Sequence, residues 1–178
     1  YYYTSNEGSP LRSAVYKIDA KGRKTKLSAK EGTNRAIFSK SMKYYINTFT
    51  NITTPPVITI NDNTGKTLTT LVDNKRLVEK VANLHMPSKE FFTFTTSDGV
   101  ELNGWMMKPA NFDANKKYPV IMHQYSGPGS QRVLDQWNIG SRSDGGMFEA
   151  YMADHGFISV CVDGRGTGGR GAEFEKCT

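Results

Sequence analysis

Acyl transfer by a serine needs three groups in register: a hydroxyl on a sharp strand-to-helix turn, a histidine base and a carboxylate. The turn leaves a G-x-S-x-G signature. No such pentapeptide occurs in the 178 residues. Ser126 and Ser130 flank Gly127-Pro128-Gly129, but neither sits in that elbow. His123 falls within an apolar run and reads as a packed, hydrogen-bonded histidine rather than a base. His155 stands where a helix should end, a place that favours a cation against the macrodipole. No His, Cys and Asp residues share zinc-ligand spacing, so neither a metal nor a cofactor is expected. Gly166-Thr167-Gly168-Gly169-Arg170-Gly171 spells G-x-G-x-x-G. Asp163-Gly164-Arg165 separates it from the preceding strand, whereas a dinucleotide site needs its glycines at the strand's end, so a flexible loop is the better reading.

The most informative stretch is His123-Gln124-Tyr125-Ser126-Gly127-Pro128-Gly129-Ser130-Gln131. It lies between an apolar strand and a helix, where an α/β hydrolase keeps the loop that supplies part of its oxyanion hole. A tyrosine hydroxyl in that loop can donate to a developing oxyanion. On spacing alone, a packed tyrosine beside an ordinary Gly/Pro turn is the simpler account.

The elements around these residues fall into two textures. In the first, Tyr1-Tyr2 returns as Tyr44-Tyr45 and Val15-Tyr16-Lys17-Ile18 as Val57-Ile58-Thr59-Ile60. The turn Asp19-Ala20-Lys21-Gly22 returns as Asp62-Asn63-Thr64-Gly65, so every offset is 42 or 43 residues. Short β-rich runs between Gly, Asn and Asp turns read as hairpins, and the period is that of four-stranded propeller blades. The alternative is a β-meander with a chance repeat. Two units cannot close a propeller, so further blades are expected upstream.

From Asp73 the spacing of Leu77, Val78, Val81, Ala82 and Leu84 predicts a helix, capped by Asp73 or Asn74 and ended by Met86-Pro87-Ser88. We take 73–90 as a connector. Residues 91–96 and 101–108 predict a hairpin over Ser97-Asp98-Gly99. Residues 118–123 predict a buried strand, and Met147, Phe148, Tyr151 and Met152 share one helical face. Gly156 should cap that helix, and 157–162 is a second apolar strand. Strand, helix, strand is a βαβ unit and predicts a mostly parallel sheet.

Composition narrows the class. Hydrophobic residues are 37% and charged residues 22%, a globular balance, and no apolar run could span a bilayer. The net charge of +6 is scattered through turns and forms no nucleic-acid motif. Two cysteines make no disulfide framework: Cys161 lies in an apolar strand as a small hydrophobe, and Cys177 lies beside the C-terminus. Asn51-Ile52-Thr53 is a glycosylation sequon in form, relevant only in a eukaryotic secretory host. Tyr1 opens as though already within a strand and Thr178 closes without a stop signal, so the chain is expected to be an internal piece.

Lys117-Tyr118-Pro119 with the loop from Gln124 to Gln131 resembles the strand and tyrosine loop of the dipeptidyl peptidase IV family of serine peptidases, within the prolyl oligopeptidase clan. Val162-Asp163-Gly164-Arg165-Gly166-Thr167-Gly168 resembles that family's D-G-R-G-[ST]-G loop. His85-Met86-Pro87-Ser88-Lys89 resembles its entry into the hydrolase domain, and the stretch from Tyr1 to Ile18 its late blades.

The resemblance implies a mixed fold. Antiparallel blades of an eight-bladed propeller (1–72) lead through the connector (73–90) into the N-terminal part of an α/β-hydrolase domain (91–178). It implies a parent exopeptidase that releases N-terminal X-Pro or X-Ala dipeptides from peptide substrates, forms a homo-oligomer and is periplasmic or secreted. Tyr125 carries over as the oxyanion donor. Pro128, Ser130, Gln131 and Arg132 line the leaving-group side, while Asp163 and Arg165 belong to a motif taken as structural. The triad Ser, Asp and His and the paired glutamates that hold the substrate amine have no counterpart, so the piece alone should be inactive. Where many animal members have Cys in the tyrosine loop this chain has Gly129, which removes a thiol role there. The competing expectations are another propeller-linked serine hydrolase, such as an oligopeptidase or acylaminoacyl peptidase, and a non-catalytic β-rich binding module.

Overall fold

The computed structural model describes residues 1–87, 89–125, 127–138 and 146–177. Ser88, Ser126 and Thr178, which the sequence motifs include, lie outside the described residues. The chain divides into two units, one of residues 1–80 with 134–137, the other of 81–133 with 138–178. Most of the structure is antiparallel β-sheet, with few helices.

The first unit holds two sheets. Strands β1 (Tyr2–Ser5), β2 (Ala14–Ile18) and β3 (Lys24–Lys26) form an antiparallel sheet in that order. Strands β4 (Thr33–Phe38), β5 (Tyr44–Asn51), β6 (Thr54–Asp62) and β7 (Thr67–Val72) form a four-stranded antiparallel meander. The sequence repeat is visible atom by atom. In the β2–β3 turn the Asp19 carboxylate accepts from the Lys21 and Arg23 amides at 2.8 and 3.0 Å. In the β6–β7 turn the Asp62 carboxylate accepts from Thr64 and Lys66 at 2.9 and 3.1 Å. Gly22 and Gly65 close the two turns with φ of +78° and +95°. An Asp side chain that bonds its own downstream amides, followed by a residue able to take positive φ, dictates this turn locally.

Val15, Leu27 and Tyr45 make the core of this unit, with Tyr2, Ala36 and Phe38 packed against them. The segment 134–137, remote in sequence, completes the unit. The Asp135 amide donates to Leu11 O at 2.8 Å, and its carbonyl accepts from Thr33 Oγ1 at 2.9 Å. Its buried carboxylate pairs with Arg12 Nε at 2.7 Å and accepts from the Ile52 amide at 3.0 Å.

Helix α1 (Lys75–Ala82) starts as its caps direct, with the Asp73 carboxylate accepting from the Lys75 amide at 3.2 Å. It ends earlier than expected. A turn at 83–85, with His85 at φ +48°, leaves Leu84 off the helix and exposed.

In the second unit, β8 (Lys89–Thr95) and β9 (Glu101–Met107) form the expected hairpin. Strand β10 (Val120–His123), helix α2 (Gly146–Asp154) and strand β11 (Ile158–Val162) form the expected βαβ unit, with β10 and β11 parallel. The sheet order is β10-β11-β9-β8. The expectation of a mostly parallel sheet is corrected: β11–β9 and β9–β8 are antiparallel, and only one pairing of the three is parallel. The expected burial of 118–123 is corrected as well. β10 is an edge strand with one neighbour, and Val120 and Met122 are exposed.

Helix α2 buries Gly146, Glu149, Ala150 and Ala153, the two alanines packing on Met107 of β9. Met147, Phe148 and Tyr151, which share a face as expected, lie on the exposed side. Where the helix meets β9, Ala150 and Ala153 let it approach the strand closely. The helix ends in a Schellman motif: Phe157 N–H donates to Met152 O at 3.0 Å, and Gly156 N–H, at φ +82°, to Ala153 O at 3.1 Å. Both cysteines are free, Cys161 buried and Cys177 exposed.

Candidate functional site

Two loops leave the C-terminal ends of the parallel strands β10 and β11 and meet. In the first, Tyr125 lies two residues beyond β10 and is 57% exposed. A turn follows in which Ser130 N–H donates to Gly127 O at 3.0 Å, with Pro128 at its second position and Gly129 at φ +70° in its third. This is the residue order of a type II turn. A Cβ at position 127 would sit 3.1 Å from the Tyr125 ring, so glycine there gives the ring room to lie back along the loop. The Arg132 guanidinium stands 5.3 Å from the centre of the same ring, within cation–π range.

The named loop residues are placed as follows. Ser130 Oγ donates to Gly127 O at 2.5 Å and lies 3.3 Å from Tyr125 O, and Gln131 Nε2 donates to Val133 O at 3.3 Å. Those groups brace the loop's own backbone. Pro128 is exposed at the turn. The structure thus gathers Tyr125, Ser130 and Arg132 together. His123 closes β10 on the exposed edge, and His155 Nδ1 lies 2.8 Å from Tyr151 O at the end of α2.

The second loop, 163–169, is the glycine-rich stretch after β11. Asp163 spreads its carboxylate across two successive amides, Arg132 N–H at 2.8 Å and Val133 N–H at 2.9 Å. Two further bonds run between the backbones: Gly129 N–H to Gly166 O at 3.2 Å and Gly168 N–H to Ser130 O at 2.8 Å. Burial raises the Asp163 pKa above the ordinary carboxylate value, and the two amides hold it back in part. The Thr167 hydroxyl, fully buried, closes its own turn on Gly164 O at 2.8 Å. Arg165 pairs with Asp98 in the β8–β9 turn, and Arg170 donates to Glu101 O. The Asp98 pKa is lowered, first by the Thr96 hydroxyl and then by Arg165.

Gly168 and Gly169 of this stretch serve the contact between the loops. A Cβ at 168 would lie 3.0 Å from Gly129 O, and one at 169, where φ is +83°, 2.5 Å from Gln131 Oε1. Among the described residues no cluster of three or more His, Cys, Asp or Glu could hold a metal, and no helix is long and apolar enough to cross a membrane. Sequence reasoning missed Asp135 altogether. Its only signal was an acid set among Val133, Leu134 and Trp137.

Comparison with known proteins agrees with this architecture. Residues 1–56 match the model of the dipeptidyl peptidase IV (DPP IV) N-terminal region. A Chaetomium globosum protein named "Probable dipeptidyl-aminopeptidase B" is 37% identical over 173 residues, 94% of this chain and 18% of the relative. An Aspergillus flavus protein named "Probable dipeptidyl peptidase 4" is 32% identical over 144 residues, 79% of this chain and 18% of its own length. The crystal structure of Porphyromonas gingivalis dipeptidyl peptidase 4 superposes with a TM-score of 0.92 at 49% identity, covering 99% of this chain and 24% of that one. This chain therefore spans less than a quarter of each of these proteins. The match to the N-terminal region, the relatives and the shared structure together support the place of this chain in the dipeptidyl peptidase IV family.

Proposed function

We propose that this chain is part of a serine-type dipeptidyl peptidase that releases N-terminal X-Pro or X-Ala dipeptides from peptides, and that Tyr125 donates to the oxyanion of its tetrahedral intermediate. Residues 1–72 are then the last blades of a propeller, 73–90 the connector, and 91–178 the opening of an α/β-hydrolase domain. The observation that carries this reading is an exposed tyrosine on a braced loop at the C-terminal end of a parallel strand. Ligands of open α/β sheets bind at such ends. Pro128, Ser130, Gln131 and Arg132 belong to the leaving-group side. The parent acts as a homo-oligomer in the periplasm or outside the cell. The chain by itself turns over nothing, because it holds no serine elbow.

The test is Tyr125→Phe in the complete polypeptide. Phe keeps the ring and its contacts with Gly127 and Arg132. Loss of one oxyanion donor lowers kcat by roughly 10²–10³-fold with KM nearly unchanged. A well-folded variant with near-normal kcat on a Gly-Pro amide would end the proposal.

A further inference from the structure

We propose that loop 163–168 is the device that positions the Tyr125 hydroxyl, with the Asp163 carboxylate as its fixed point. The inference rests on the oxyanion reading of Tyr125 and names a positioning residue for it.

Asp163 and the glycines of this loop hold residues 129–133 through the partner loop's backbone: the amides of Arg132 and Val133, the Gly129 amide and the Ser130 carbonyl. They set where the tyrosine loop sits without using a side chain that substrate would contact. Asp163 contributes the two charge-assisted bonds, which are the stronger kind. Its own amide donates to Asn103 O at 3.0 Å, so the carboxylate is anchored to β9, the central neighbour of β11. The residue is 5% exposed, and both carboxylate oxygens are spent on amides.

From Asp163 the constraint runs along two short routes. Fixing the Arg132 amide fixes the residue whose guanidinium stands over the Tyr125 ring. Fixing Ser130, through Gly168 N–H, fixes the hydroxyl that bonds the carbonyls of Gly127 and Tyr125. Asn at 163 offers one carbonyl oxygen, and its NH₂ would face the second backbone N–H donor to donor. An oxyanion donor acts only when placed to within a few tenths of an ångström, and a misplacement of about 1 Å can cost on the order of 10²-fold in rate.

The experiment is a double-mutant cycle in the complete polypeptide, combining Asp163→Asn with Tyr125→Phe and reading kcat and KM on a dipeptidyl amide beside the melting temperature. We expect Asp163→Asn alone to lower kcat about 10- to 100-fold with KM changed less than about threefold. In the Tyr125→Phe background it should then cost less than about threefold more, since the hydroxyl it positions is gone. A role confined to holding the fold predicts equal losses in both backgrounds, and that result overturns the inference while leaving the oxyanion reading intact. Full activity of folded Asp163→Asn overturns it likewise. Near-normal activity of Tyr125→Phe alone sinks the oxyanion reading and this inference with it. Should Asp163→Asn fail to fold, Gly168→Ala takes its place in the cycle. Its Cβ presses on Gly129 O from the same loop without disturbing the buried acid. Coupling to Tyr125→Phe supports the inference, and independent losses refute it.

Discussion

Replacing Asp135 by Ala should destabilise the first unit by about 2–4 kcal/mol. The carboxylate makes two bonds that Ala cannot. One goes to Arg12 Nε at 2.7 Å, the other accepts from the Ile52 amide at 3.0 Å. Hydrogen bonds to a charged group contribute about 1.5–3 kcal/mol each. Arg12 is 42% exposed, so its share belongs with surface pairs, about 0.2–1 kcal/mol. The larger part comes from the half-buried Ile52 amide, which would lose its acceptor. Segment 134–137 should nonetheless stay docked. The Asp135 backbone keeps its bonds to Leu11 and Thr33, and Trp137 N–H keeps Thr50 Oγ1 at 3.0 Å. Asp135→Asn retains a carbonyl oxygen for Ile52 but loses the ion pair and turns its NH₂ toward Arg12 Nε–H; the part-exposed Arg12 can swing to water, so the cost should be about 1 kcal/mol. Urea unfolding with matched slopes measures both variants. A loss below about 1 kcal/mol for Ala would refute the reasoning, as would equal losses for Ala and Asn.

The two repeated turns differ in one respect that can be measured. Gly22→Ala should cost about 1–2 kcal/mol for positive φ alone, since nothing lies within 4 Å of the added Cβ. Gly65→Ala should cost clearly more, because its Cβ would meet Leu27 O at 2.6 Å. Equal midpoint shifts in urea would contradict this. The repeated aspartates should also titrate alike. The Asp19 pKa is lowered first by the Arg23 amide, and that of Asp62 first by the Thr64 hydroxyl. Because the folded values lie below the unfolded ones, both groups stabilise the fold above the ordinary carboxylate range. That contribution is lost as pH falls through the folded values. Carboxyl ¹³C titration checks this, and a midpoint at or above 3.8 for either residue would contradict it.

The amino-acid sequence by itself determined the features that close within a few residues. The Asp-x-x-Gly turns, the Asp73 cap, the Gly156 cap and the Gly127-Pro128-Gly129 turn all depend on a side chain bonding its own downstream amides, or on a backbone angle that one residue type tolerates. Such preferences need no distant partner, so they can be read from composition and spacing. Only the tertiary structure decided which face of α2 is buried, which apolar strand became the sheet's exposed edge, and that two of three pairings in that sheet are antiparallel. Met147, Phe148 and Tyr151 have the spacing of a core face, yet Ala150 and Ala153 took the inside because Met107 of β9 stands there. The same holds for the site. Asp163 and Tyr125 are 38 positions apart in the sequence, and nothing local says that the acid will chelate the amides of Arg132 and Val133. Asp135 is the plainest case: its partners Arg12, Thr33 and Ile52 lie more than 80 residues upstream. Hydrogen bonds and burial act over ångströms in space, and separation along the chain holds no record of which residues folding will bring that close.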